Sequence, residues 1–158
     1  MSEINSEIIQ TIKQRFEIIE ANVTRAAELS CRSASDVLIL AVSKRQPVDV
    51  IEAAYACGIR SFGENYTGEA HEKIALLTHL SDIRWEMVGH VQSRKSGLVA
   101  ADFSRVQSLD SLKLAHKLDS ARTGMNPAHP LEVFLQLNVS SEASKEGLPA
   151  WKKDQWEE

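Results

Sequence analysis

The run Val37-Leu38-Ile39-Leu40-Ala41-Val42 constrains this chain more than any other stretch. It is continuous, apolar, rich in branched side chains, and too short for a helix of its own. Such a run predicts a strand buried on both faces, the kind found inside parallel sheets. Ser43 and Lys44 follow it, then Arg45-Gln46-Pro47 and a helical pattern. Lys44 is therefore expected at the C-terminal end of a central parallel strand, where α/β proteins place their ligands. A strand-end lysine has two readings. Lysines are mostly exposed, so one is a solvated side chain or a partner for a carboxylate. The other is an amine at an apolar mouth, where desolvation disfavours the ammonium and the neutral amine condenses with an aldehyde.

The rest of the chain alternates around that strand. Ile4, Ile8, Ile12, Phe16, Ile19, Val23 and Ala26 recur at three- and four-residue steps and predict one helix over 4–29. A polar linker over 31–36 leads into the first strand. Pro47 can open the next helix, because its missing N–H is not needed in a first turn. Gly58 suits a left-handed cap at the end of that helix. Further strands are expected over 59–63, 83–88, 103–108 and 131–139, with helices over about 67–77, 92–100 and 110–121 between them. Strict alternation implies a parallel sheet with right-handed crossovers. No G-x-G-x-x-G follows the first strand and no G-x-x-x-x-G-K-[ST] occurs, which disfavours a dinucleotide-binding domain and a P-loop. An open sheet or part of a (β/α)8 barrel remains. A full barrel takes about 250 residues, whereas the 158 here suffice for one domain with a core.

Composition removes several function classes. A formal net charge of −4 argues against a nucleic-acid-binding surface. No apolar stretch approaches the ~20 residues that span a bilayer, and Met1-Ser2-Glu3-Ile4-Asn5 lacks the pattern of a signal peptide. Cys31 and Cys57 have no CxxC spacing and read as reduced thiols of a cytoplasmic protein. The five histidines show no metal-ligand spacing, so no metal site is expected.

Polar residues gather at the predicted C-terminal strand ends: Ser43 and Lys44, Glu64 and Asn65, His90, Ser108 and Asp110, Asn138 and Ser140. Side chains at the same end of consecutive parallel strands converge on one mouth. Asp110 also suits a helix N-cap. The order of residues leaves open an Asp110–His90 pair and a Glu64–Asp110 carboxylate pair. Arg94, Lys95 and Lys145 could bring positive charge to the mouth, although each also reads as a solvated surface residue. No glycine-rich phosphate loop is evident.

Five short motifs occur in order along nearly the whole chain. They are Ala41-Val42-Ser43-Lys44 with Pro47; Phe62-Gly63-Glu64-Asn65-Tyr66; Trp85-Glu86-Met87-Val88-Gly89-His90-Val91-Gln92 with Lys95; Ser108-Leu109-Asp110-Ser111; and Asn138-Val139-Ser140 with Glu142, Lys145 and Gly147. The series resembles the pyridoxal phosphate homeostasis proteins, single-domain relatives of the alanine racemase N-terminal domain. The resemblance implies an α/β fold of the (β/α)8 TIM-barrel type, a single domain over residues 1–158 with about the first five strand–helix units behind a long N-terminal helix. It implies pyridoxal phosphate as the cofactor, held as a Schiff base on Lys44. Asn65 and His90 are then expected beside the cofactor, and Lys145 matches a further motif position. The implied role is a cytoplasmic cofactor carrier rather than an enzyme. A small racemase-like enzyme and a non-binding fragment are the alternatives. Two positions depart from the family pattern: Glu86 replaces an aromatic or histidine residue, and Arg94 a common asparagine. The family continues through three more strand–helix units, which carry the phosphate-gripping loops. The sequence stops at Glu158, inside what the resemblance makes the fifth helix, so the C-terminal part of the barrel is expected to be missing.

Overall fold

Helix α1 spans Ser6–Leu29 in a computed structural model that describes residues 6–125, 129–142 and 144–149. Its apolar stripe does what the spacing predicts over its middle, where Ile12 and Phe16 pack on the core; towards its end Ala27 is buried and the predicted Ala26 is exposed. Ile19, on the same predicted stripe, is exposed, and Ile4 lies outside the described residues.

Five strands follow: β1 (Ala41–Val42), β2 (Ser61–Glu64), β3 (Arg84–Met87), β4 (Arg105–Leu109) and β5 (Glu132–Leu135). They form one sheet in the order β1-β2-β3-β4-β5, and every neighbouring pair is parallel. Helices α2 (Val48–Ala56), α3 (Thr67–Leu76), α4 (Ser96–Asp102) and α5 (Leu112–Thr123) make the crossovers. A doubly wound sheet reverses its strand order at a switch point. This one does not. With right-handed crossovers, sequential order puts every helix on one face of the sheet, which is how a barrel winds.

The core fills the layer between that face and the helices. Phe62, Trp85, Met87 and Val106 from the strands meet Ile51, Ala54, Ala70, Val99, Leu114 and Leu118 from the helices. The Phe62 and Trp85 rings lie tilted with centroids 5.6 Å apart, a favourable aromatic arrangement. Gly58 ends α2 with φ +97°, the left-handed turn expected of it. Pro47 stands one residue earlier than a first helical turn, at the N-cap, where its carbonyl accepts from the Val50 and Ile51 N–H groups.

Two strands differ from expectation. The Val37–Val42 run is not a central strand buried on both faces: β1 is an edge of the sheet with β2 as its one neighbour, and its regular part is two residues long. Val37, Leu38 and Val42 are exposed, Val42 by 52%. An apolar run reports that a strand needs cover, and β1 receives it on one side. The fifth predicted strand, 131–139, breaks at Gln136. The Gln136 N–H still donates to Leu109 O of β4, but its carbonyl accepts from Leu148 N. Beyond it β6 (Leu137–Asn138) pairs in parallel with β7 (Leu148–Pro149) as a separate small ladder.

Candidate functional site at the C-terminal strand ends

Side chains alternate between the two faces of a strand, so the register fixes which residues share the face away from the helices. Gly63, Glu86 and Arg105 are register partners on that inner face. Glu86 is fully buried there. Its Oε1 accepts from Arg105 Nη1 at 3.1 Å and its Oε2 from Gln107 Nε2 at 2.7 Å. Arg105 also binds Glu132 and lies over the Phe134 ring at 5.1 Å, and Arg84 reaches Glu132 at 3.5 Å. Burial pulls the Arg105 guanidinium down, but the carboxylates of Glu132 and Glu86 outweigh it, leaving Arg105 above its ordinary value. The hydrogen bond from Arg105 in turn holds the Glu132 carboxyl below the usual range. Glu86, one of the departures from the family pattern, therefore has its own partners on neighbouring strand β4.

Lys44 follows Val42 onto the inner face, because Ser43 between them turns to the helices. The Ser43 N–H continues the ladder to Gly63 O at 2.9 Å, and its buried Oγ donates to Glu64 Oε1 at 2.8 Å. The β1–β2 register ends at Val42 opposite Gly63, so Lys44 and Asn65 each stand two residues past the paired ends of neighbouring strands. The Lys44 side chain is exposed and has no hydrogen-bond or ion-pair partner among the described residues. Arg45 then takes φ +61°, and Gln46 N closes back on Ser43 O at 3.0 Å. That tight turn carries Lys44 at its tip.

The neighbouring strand ends are drawn together by backbone approach. A Cβ on Gly89 would sit 2.4 Å from the Asn65 carbonyl oxygen, so only glycine lets these two loops touch. Ser108 Oγ donates to Gly89 O at 2.6 Å, tying the third loop to the fourth. His90 Nδ1 and Asp110 Oδ2 are 3.0 Å apart, and Ser111 Oγ donates to Asp110 Oδ1 at 3.1 Å. Glu146 brings a carboxylate oxygen within 4.8 Å of both His90 and Asp110; His90 and Glu146 are exposed and Asp110 is partly buried.

Several sequence expectations are corrected by these contacts. Glu64 does not face the mouth and does not pair with Asp110. It points to α3, fully buried, where Lys73 Nζ donates to it at 2.9 Å. Asp110 is not the cap of α5. Ser111 is, accepting from Leu114 N at 3.4 Å, which frees Asp110 for His90. Asn138 is spent on its own loop, its Nδ2 donating to Glu142 O at 2.9 Å and Lys145 O at 3.2 Å. Lys145, paired with Glu142 at 3.0 Å, and Arg94, whose Nε donates to Gln92 Oε1 at 3.1 Å, are both exposed, in keeping with the surface reading of each.

Sequence reasoning missed Glu69 and Lys73 on α3. Lys73 is buried and donates to Ser43 O at 2.8 Å as well as to Glu64, and its Nζ lies 2.6 Å from Glu69 Oε1. The same Glu69 oxygen accepts the Arg45 N–H at 2.6 Å. Their i,i+4 spacing was the available signal, but such pairs usually mark a solvated helix face. A groove of about 360 Å3 between α5 and β5, lined among others by Leu118, Leu131 and Val133, lies at the opposite edge of the sheet from Lys44.

No family model matches the chain. Curated relatives do. The pyridoxal phosphate homeostasis protein of Pseudomonas aeruginosa is 41% identical over 139 residues, covering 88% of this chain and 59% of that protein. The protein of the same name from Escherichia coli is 36% identical over 152 residues, covering 95% and 62%. Among solved structures, PipY of Synechococcus elongatus without PLP superposes with a TM-score of 0.69 at 35% identity, over 80% of this chain and 58% of PipY. PipY with PLP bound gives 0.67 at 34% identity. The chain thus spans about three fifths of the length of the curated relatives it matches. Over most of its own length it is a homologue of the pyridoxal phosphate homeostasis proteins.

Proposed function

We propose that this chain holds pyridoxal phosphate on Lys44 in the cytoplasm, as part of cofactor homeostasis and without turnover of an amino acid. The observation that carries the reading is Lys44 itself. It is an exposed amine without a partner among the described residues, at the C-terminal end of β1, beside the Asn65 loop, in a homologue of proteins named for this cofactor. When bound, the cofactor supplies an aldehyde with which a lysine amine condenses, losing one water. Lys44 brings the amine to that reaction. Asn65 offers amide donors and an acceptor beside it, and His90, with Nδ1 engaged by Asp110, keeps its other ring nitrogen for a ligand.

These residues fit the aldehyde and ring of the cofactor. The phosphate grip belongs, in this reading, to the further strand–helix units of a complete (β/α)8 barrel. Sequential winding of the sheet supports that closure. The unpaired Cys31 and Cys57 fit a reducing compartment. Among the described residues no helix is long and apolar enough to cross a membrane.

The test is an absorption spectrum of the protein with added pyridoxal phosphate, before and after borohydride, with Lys44→Ala alongside. A band near the visible edge, absent from the variant and fixed to Lys44 on reduction, is expected. A folded protein with no such band, or steady turnover of an amino acid that Lys44→Ala abolishes, overturns the reading.

A further inference from the structure

We infer that Glu69 and Lys73 of α3 clamp the two peptide groups on either side of Lys44 and so position its amine for the cofactor aldehyde. The inference rests on the proposed role of Lys44. Lys73 Nζ donates to Ser43 O, the carbonyl of the peptide entering Lys44, at 2.8 Å. Glu69 Oε1 accepts the N–H of the peptide leaving it, that of Arg45, at 2.6 Å. The two side chains are joined at 2.6 Å, one helical turn apart on α3. Both peptide planes that set the direction of the Lys44 side chain are therefore tied to one rigid helix.

Two further observations fit a clamp. Arg45, which follows the second tied peptide, holds φ +61°, a conformation an arginine rarely adopts and that the surroundings must impose. Lys73 is itself buried and anchored on the fully buried Glu64, so the anchor does not move with solvent. Nothing else among the described contacts of Lys44 fixes the long side chain, so its base is what can be preorganised. Glu69 and Lys73 are positioning residues and do not touch the cofactor in this assignment.

Glu69→Ala is the test, because Glu69 is partly exposed and its loss leaves the Glu64–Lys73 pair intact. Glu69→Gln is the conservative rescue, since its amide oxygen can still accept from Arg45 N–H. Two readouts are taken on each. Amide hydrogen exchange of Arg45 reads the clamp without any cofactor. Borohydride trapping on Lys44 across a titration of pyridoxal phosphate reads its consequence. Expected are exchange at least tenfold faster and apparent affinity about tenfold weaker in Glu69→Ala, both largely restored in Glu69→Gln, with the unfolding midpoint little changed. Unaltered Arg45 exchange overturns the clamp. Faster exchange with unaltered trapping overturns the positioning role. A parent protein that traps nothing on Lys44 overturns the cofactor reading and the positioning role with it, a result distinct from either variant's behaviour.

Discussion

The middle of the sheet and its two edges are built from the same kind of residue and end in different environments. Phe62 on β2 is 1% exposed, between the sheet neighbours and the helix layer, whereas Phe134 on β5 is 53% exposed. Val106 on β4 is fully buried, whereas its register partner Val133 on the edge strand β5 is 42% exposed. The difference teaches that apolarity in this sequence marks strands that need neighbours. Whether a given strand has them on both sides is a property of the sheet order. The first expected outcome follows directly. Phe62→Ala should cost ~3–5 kcal/mol, the usual result of emptying a well-packed aromatic site, while Phe134→Ala should cost less than about 1 kcal/mol. Urea unfolding of both variants measures it. Equal losses would mean that the β5 edge is covered in solution and that the contrast between middle and edge is not real.

The polar residues show the same contrast at smaller amplitude. On the helix side, Glu64 and Lys73 form an ion pair sealed from solvent, with Glu64 Oε2 left without a partner among the described residues. On the inner side, Arg105 shares its charge between the buried Glu86 and the half-exposed Glu132. Removing one member of a sealed pair strands the other charge, at a cost of ~3 kcal/mol or somewhat more. Lys73→Met should therefore destabilise by about that amount, and the double variant Lys73→Met with Glu64→Leu should recover most of it, because an apolar pair has nothing to desolvate. Glu132→Ala at the edge should change stability far less, as exposed ion pairs do. Guanidinium or urea titrations of the four proteins decide. A double variant no better than Lys73→Met would show that Ser43 O and Glu69, the other partners of Lys73, carry the energy.

Much of this was legible from the sequence, and the failures have a common cause. The alternation of strand and helix requires a parallel sheet, and Lys44 at a strand end requires a mouth. Both are local patterns; the structure bears out the parallel sheet and the place of Lys44 just past the end of a strand, though that strand is an edge. The edge position of β1 depends on which strands exist to flank it, which no pattern within 37–42 contains. The break at Gln136 depends on Leu148 arriving from the chain beyond. Asp110 looked like a cap because it precedes a helical pattern. Ser111 is an equally good cap, and the choice between them is made by His90 on another loop. Glu69 and Lys73 were missed for the same reason. Their spacing is local, but their partners Ser43 and Arg45 lie across the β1–α3 junction. Local chemistry was readable; partners supplied by a different element were not.

The smallest expected effect distinguishes the same two regions by pH. The hydrogen bond from Lys73 holds the Glu69 carboxyl below its ordinary range, partial burial opposes this, and the Arg45 N–H adds to it. Glu64, Lys73 and Arg45 are the charged groups around it. Glu132 is likewise held down, chiefly by the Arg105 hydrogen bond. A carboxyl depressed in the folded state contributes stability that is fully present above its unfolded value of about 4.3. That contribution is lost as pH falls through the lower folded value. Both residues should therefore steepen the fall of the unfolding midpoint below about pH 5, and Glu69→Gln or Glu132→Gln should each make it shallower. Salt separates them. Exposed Glu132 is screened, so its share of the slope should fade as ionic strength rises to about 0.5 M, while that of Glu69, against a buried lysine, should persist. Midpoints recorded from pH 5 down to about 2 at two salt concentrations give the answer. If the Glu69 share vanishes with salt as fully as the Glu132 share, the α3 side of Lys44 is as open to solvent as the β5 edge, and the Arg45 turn must be held by its own backbone instead.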